Sequence, residues 1–164
     1  MTIAIISDTH IPDREETIPE EFRELIAEAD HVVHAGDFTT SETLTEVREL
    51  ASDLTAVHGN MDRQGIDLPT VASVEIDGLT LVVTHGTVAT MEEWLDLLAE
   101  TTKEEASTPR VGIGGHSHQL EDIVHDGVRL LNPGSVTGAD PAAQATMLTA
   151  TVVDDELDVT VHRA

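Results

Sequence analysis

Apolar positions along this chain follow two regimes that change near residue 70. In the first, short β-branched runs at Thr2–Ser7, His31–Ala35 and Leu54–His58 alternate with longer amphipathic stretches. Runs this short and apolar predict buried strands. Between them, Phe22, Leu25, Ile26 and Ala29 follow Pro19 at helical spacing, and Leu44, Val47, Leu50 and Ala51 follow a capping Thr40 or Ser41. Strand, helix, strand, helix, strand predicts a layered α/β sheet with short right-handed crossovers.

The second regime is richer in strands. Val71–Ile76 and Leu79–Thr84 flank Asp77-Gly78, a two-residue hairpin signal. Met91–Ala99 predicts a helix with Trp94, Leu95 and Leu98 on its apolar side, and the polar stretch Thr101–Pro109 predicts a loop. Strands follow at Val111–Gly114, Gln119–His125 and Val128–Leu131, the last two joined by Asp126-Gly127. Ala145–Val153 and Leu157–His162 form a final hairpin around Asp154-Asp155. Strands without intervening helices predict a second, more antiparallel sheet packed on the first. At 164 residues, the chain reads as one domain spanning 1–164.

Charge narrows the function classes. There are 32 Asp and Glu against 8 Lys and Arg, a formal net charge of -24, and Lys103 is the one lysine. Phosphate backbones and anionic membranes are held by Lys and Arg, so strong nonspecific nucleic-acid binding and membrane binding are excluded as main functions. The acidic residues spread along the chain rather than gathering in a tail. They read as a solvated shell adapted to high salt, as in extreme halophiles; the plainer alternative is an acidic soluble protein. Without cysteine, disulfide scaffolds, thiolate zinc sites and cysteine nucleophiles are absent. The start, MTIAIISDTH, lacks the basic region of a signal peptide, and no apolar run approaches the roughly 20 residues of a membrane span. The expected location is cytoplasmic.

Candidate chemistry sits just after the strands. Asp8 and His10 follow the first, Asp37 the second and Asn60 the third. His85 follows Leu79–Thr84, and His116 and His118 follow Val111–Gly114. These oxygen and imidazole donors lie at strand carboxyl ends, where open α/β sheets place their sites. If the segments continue extended, residues i and i+2 share a side, pairing Asp8 with His10 and His116 with His118. Each piece alone has a plain reading: a surface pair, a turn Asn or Asp, a core histidine. Recurrence at one end of successive elements favours a metal site, because buried carboxylates need a partner or a cation.

The ordered motifs Asp8-x-His10, Gly36-Asp37, Gly59-Asn60, His85-Gly86 and Gly114-x-His116-x-His118 resemble the calcineurin-like metallophosphoesterase superfamily. More closely, they resemble its small phosphodiesterases of the YfcE/MJ0936 type. The resemblance runs from Asp8 to Asn132-Pro133-Gly134-Ser135 and implies a four-layer αββα sandwich with two mixed β-sheets. It implies two divalent transition-metal ions, Mn²⁺ foremost, with Ni²⁺, Fe²⁺ or Zn²⁺ also suited to these donors. Asp8, His10, Asp37 and His118 would hold the first ion, and Asp37, Asn60, His85 and His116 the second. The last four would be the catalytic residues, supporting metal-bridged hydroxide attack on a small phosphate ester. Similar proteins form homodimers or homotetramers. Met61 stands where many superfamily enzymes carry a histidine near the leaving group. His85-Gly86-Thr87 departs from their His-Gly-His, and Val136–Ala142 lacks their arginine. The alternative is a noncatalytic binding protein of this fold, as in the superfamily's retromer subunit. A purely structural metal protein is a third reading.

Overall fold

The computed structural model describes residues 1–164, and its first half is β1 (Ile3–Ile6), α1 (Glu20–Glu28), β2 (His31–His34), α2 (Ser41–Leu50) and β3 (Leu54–Ala56). The second half is β4 (Val71–Ile76), β5 (Leu79–Thr84), α3 (Met91–Glu105), β6 (Arg110–Ile113), β7 (Leu120–His125), β8 (Val128–Pro133), β9 (Thr146–Val153) and β10 (Glu156–Arg163). Two five-stranded sheets result, ordered β10-β9-β1-β2-β3 and β4-β5-β6-β8-β7. The first sheet is parallel from β1 to its β3 edge and antiparallel on the β9–β10 side, whereas the second has a parallel centre and antiparallel strands at both edges, so both are mixed as expected.

Alternating side chains on β1 explain the layers. Ala4 and Ile6 face Phe22, Ile26, Leu44 and Val47 of α1 and α2, whereas Ile3 and Ile5 join Leu81, Val83, Val111, Ile113 and Leu131 of the other sheet. Beyond that sheet, Trp94, Leu98 and Ala99 of α3 pack on Val128 and Leu130. The order of layers is helix, sheet, sheet, helix. A strand buried on both faces must be apolar throughout, which is why the central runs show no polar alternation.

Two expectations change. The helix predicted over Met91–Ala99 extends to Glu105, because Thr102 continues its buried face and donates its hydroxyl hydrogen to the Leu98 carbonyl at 2.6 Å. Thr101–Glu105 is thus helix, and Ala106–Pro109 is the loop that the polar stretch predicts. The β9–β10 hairpin joins the first sheet, with β9 antiparallel to β1, so the second-half strands are divided between sheets. No helix is long and apolar enough to cross a membrane.

Candidate metal centre

The parallel pairing of β1 with β2 continues past both strand ends. Asp8 N–H donates to the Gly36 carbonyl at 3.0 Å, and His10 N–H to the Asp37 carbonyl at 3.1 Å. The loops carrying three candidate ligands therefore run side by side. They are not extended: φ is 53° at Asp8, 48° at His10 and 67° at Asp37, and 73° and 61° at His116 and His118. Left-handed backbone redirects the side chains, so simple alternation does not govern them. Asp8 and His10 still converge, but His116 and His118 part.

Five of the seven candidates form one buried cluster. His118 Nε2 lies 3.3 Å from Asp8 Oδ1 and 3.1 Å from His10 Nε2. His10 Nε2 is 3.3 Å from Asp37 Oδ2, and His85 Nε2 reaches that oxygen at 3.1 Å. Two overlapping groups, Asp8-His10-His118 and Asp8-Asp37-His85, can each hold a divalent ion. When neutral, His85 donates Nδ1–H to the Ala35 carbonyl at 2.6 Å and His118 donates to that of Ala139 at 2.9 Å. Both are thereby fixed with Nε2 turned to the cluster, the orientation a metal ligand requires. Asn60 and His116 sit outside this cluster at the more exposed rim, where Asn60 Oδ1 is 3.2 Å from His116 Nδ1.

Several supporting residues hold the ligand loops in place. The Asp62 carboxylate accepts from the backbone N–H groups of Asp37, Thr39 and Gly59, tying the second and third loops. Ser7 Oγ and His116 N–H donate to Asp8 Oδ2, while Ser135 Oγ donates to the Asp8 carbonyl. Close approach limits what stands at two glycines: a Cβ on Gly59 would lie 2.1 Å from Asp37 Oδ1, and one on Gly115 the same distance from Ser7 Oγ. His125 and His162 pair instead with Asp96 and Thr149, away from the cluster.

Burial alone would raise Asp8 and Asp37. The imidazoles of His10 and His118 beside Asp8, and of His10 and His85 beside Asp37, outweigh it and hold both carboxyls below the ordinary range. Burial would lower His85, yet the Asp37 carboxylate 3.1 Å from its Nε2 and the charge of Asp8 push it up to about 9. His116 goes down, through burial and the neighbouring charge of His85. Buried Asp8 Oδ1 and His85 Nε2 have no hydrogen-bond partner and face each other at 3.8 Å. Anionic carboxylates, bare imidazole nitrogens and unpartnered polar atoms suit a divalent cation without thiolate ligands.

Fold and donors together define the class. Residues 1–155 match the calcineurin-like phosphoesterase superfamily domain, and the chain belongs to that superfamily. A Methanothermobacter thermautotrophicus protein named "Probable metallophosphoesterase" is 37% identical, over 96% of this chain and 91% of that protein. Among solved structures, Chaetomium thermophilum Vps29 is 25% identical with a TM-score of 0.78, covering 100% of this chain and 93% of its own. Entamoeba histolytica Vps29 complexed with Zn²⁺ is also 25% identical, with a TM-score of 0.69 and 99% coverage of both chains.

These likenesses correct the closer resemblance. Whole-chain structural agreement is with Vps29, the retromer subunit that the alternative reading invokes, and not with the YfcE/MJ0936-type phosphodiesterases. The expectations of a hydrolase, of phosphodiester cleavage by bridging hydroxide, and of a manganese enzyme are withdrawn with it. The shared ligand motifs explain the error, since donors that hold a cation are not by themselves a catalyst. The halophile attribution is withdrawn as well: the acidic composition sets the surface charge, and nothing in these relatives ties it to high salt.

Proposed function

We propose that this chain is a noncatalytic binding protein of the calcineurin-like fold, whose metal-loaded face supports docking of a protein partner. The observation that carries this reading is the likeness to Vps29 over the full chain at a TM-score of 0.78. Side chains at the rim agree with it. Met61, which follows Asn60, is 41% exposed, and its thioether has no proton to give a leaving group. Met91 is 38% exposed and lines, with His116, Trp94 and Val88, a cavity of about 280 Å³. Exposed methionines suit an adaptable apolar contact. None of the Lys or Arg side chains makes an ion pair or hydrogen bond with the seven donor residues.

In this reading Asp8, His10, Asp37 and His118 hold one divalent ion, and Asp37, Asn60, His85 and His116 a second. Zn²⁺ fits the donor set, and the similar Entamoeba Vps29 has been solved complexed with Zn²⁺. A bound cation would supply charge neutralisation for Asp8 and Asp37, fixing the loops that carry them. The test is hydrolysis of bis(p-nitrophenyl) phosphate by protein loaded with Zn²⁺ or Mn²⁺, with occupancy measured by elemental analysis. The expected rate equals that of the free metal. Turnover that requires the protein and vanishes in Asp37→Asn would overturn the reading.

A further inference from the structure

His34 is fully buried, yet it belongs to neither metal-competent group. It ends β2 on the same face as Val32, turned toward the α1–α2 layer, and its ring stacks on Phe38 at 3.6 Å between centroids. Its Nδ1 accepts from Gly36 N–H at 3.0 Å, so the neutral ring carries its proton on Nε2. That Nε2–H reaches Thr9 Oγ1 at 2.8 Å. Gly36 immediately precedes Asp37, and Thr9 lies between Asp8 and His10. One imidazole thus joins the two ligand loops from beneath.

We infer that His34 is a positioning residue, setting the spacing between Asp8 and His10 on one loop and Asp37 on the other through Thr9 and Gly36. This rests on the metal-holding part of the proposed function. Backbone pairing sets how far apart the main chains run, and Asp62 and Ser135 hold the two loops by hydrogen bonds of their own. The His34–Thr9 contact adds a tie from beneath that joins one ligand loop to the end of β2, and it is the hydrogen bond that Thr9 Oγ1 makes. The tie is kept in one protonation state: burial drives the His34 pKa down to about 3, so the ring stays neutral wherever the protein is handled.

The experiment compares Zn²⁺ affinity, by chelator competition, with the absorption spectrum of the Co²⁺-loaded protein. Wild type is measured beside His34→Phe, which keeps the stacked ring and loses both polar contacts, and beside Thr9→Val and Thr9→Ser. Residues that orient metal ligands are worth about 10–100-fold in affinity. The expected result is a loss of that size in His34→Phe and Thr9→Val, with an altered Co²⁺ spectrum and wild-type behaviour in Thr9→Ser. A merely structural histidine would lower the unfolding midpoint and leave both metal readouts unchanged, which overturns the inference. If His34→Phe does not fold, the Thr9 pair decides. Wild-type protein that takes up no Zn²⁺ removes the metal reading and this inference together. Normal uptake with unaffected variants removes the inference alone.

Discussion

At one end of the sandwich, the hairpins β4–β5, β7–β8 and β9–β10 turn through Asp77, Asp126, Asp154 and Asp155 with φ between 50° and 63°. At the other end, Asp8, His10, Asp37, Thr39, His116 and His118 hold φ between 48° and 80° with no hairpin to require it. In the hairpins, left-handed residues match the twist of the paired strands, and aspartate tolerates that conformation. At the donor end two of the strained residues are buried histidines and one is a β-branched threonine, each at a cost of roughly 1–2 kcal/mol. Such strain persists only where surrounding contacts over-determine it. Here those contacts are the extended β1–β2 ladder, the Asp62 clamp and the hydroxyls of Ser7 and Ser135. The same backbone geometry is thus a turn at one end and a device for aiming ligands at the other.

Breaking the donor end should have the largest effect. Asp8→Asn removes the charge that His10, His85 and His118 face, and the metal-free protein should lose about 3–5 kcal/mol in urea unfolding. A loss below about 1 kcal/mol would mean the cluster is not electrostatically coupled. Next comes pH. The folded-state pKa of His85 is raised from 6.5 to about 9, so its stabilisation is complete below pH 6.5 and disappears as pH rises through 9. Asp8 and Asp37, held below the ordinary range, contribute above about pH 4 and lose that contribution in acid. Chelator-treated protein should therefore lose on the order of 3 kcal/mol between pH 6.5 and 10. A flat profile over that range would contradict the His85–Asp37 pairing.

Smaller effects sharpen the contrast between ends. His116→Gly relieves a left-handed residue at the rim and should stabilise the protein by about 1 kcal/mol while weakening metal binding. Stability and binding would then move in opposite directions, as expected of strain kept for a site. Asp155→Gly, in a hairpin where aspartate is already tolerated, should change stability by no more than about 0.5 kcal/mol and leave metal binding alone. Equal gains at both positions would erase the distinction.

The strands and the ends that carry donors were legible in local sequence. Ile3–Ile6 and most of Leu79–Thr84 are apolar because both faces are covered, and Asp77-Gly78 and Asp126-Gly127 mark the β4–β5 and β7–β8 hairpins. The last turns of α3 were misread because Thr102 buries a hydroxyl that looks polar in sequence. The placement of β9 beside β1 joins residues about 145 apart, and no local pattern encodes it. The parting of His116 from His118 depends on left-handed backbone at both, which extended periodicity cannot anticipate. The tie from His34 to Thr9 needs the Ile6–His34 register before it can be seen. Activity was the least legible, since the motif donors are shared by catalytic and noncatalytic members of one fold.

Central to the account is a donor end built to hold a divalent cation, and calorimetric titration of Zn²⁺ into chelator-treated protein tests it most directly. Saturable binding is predicted, with an unfolding free energy raised by about 2.7 kcal/mol at free metal 100 times the dissociation constant. The Asp8→Asn protein should show neither effect. Wild-type protein that gives no saturable heat and no change in unfolding across the titration would contradict the account.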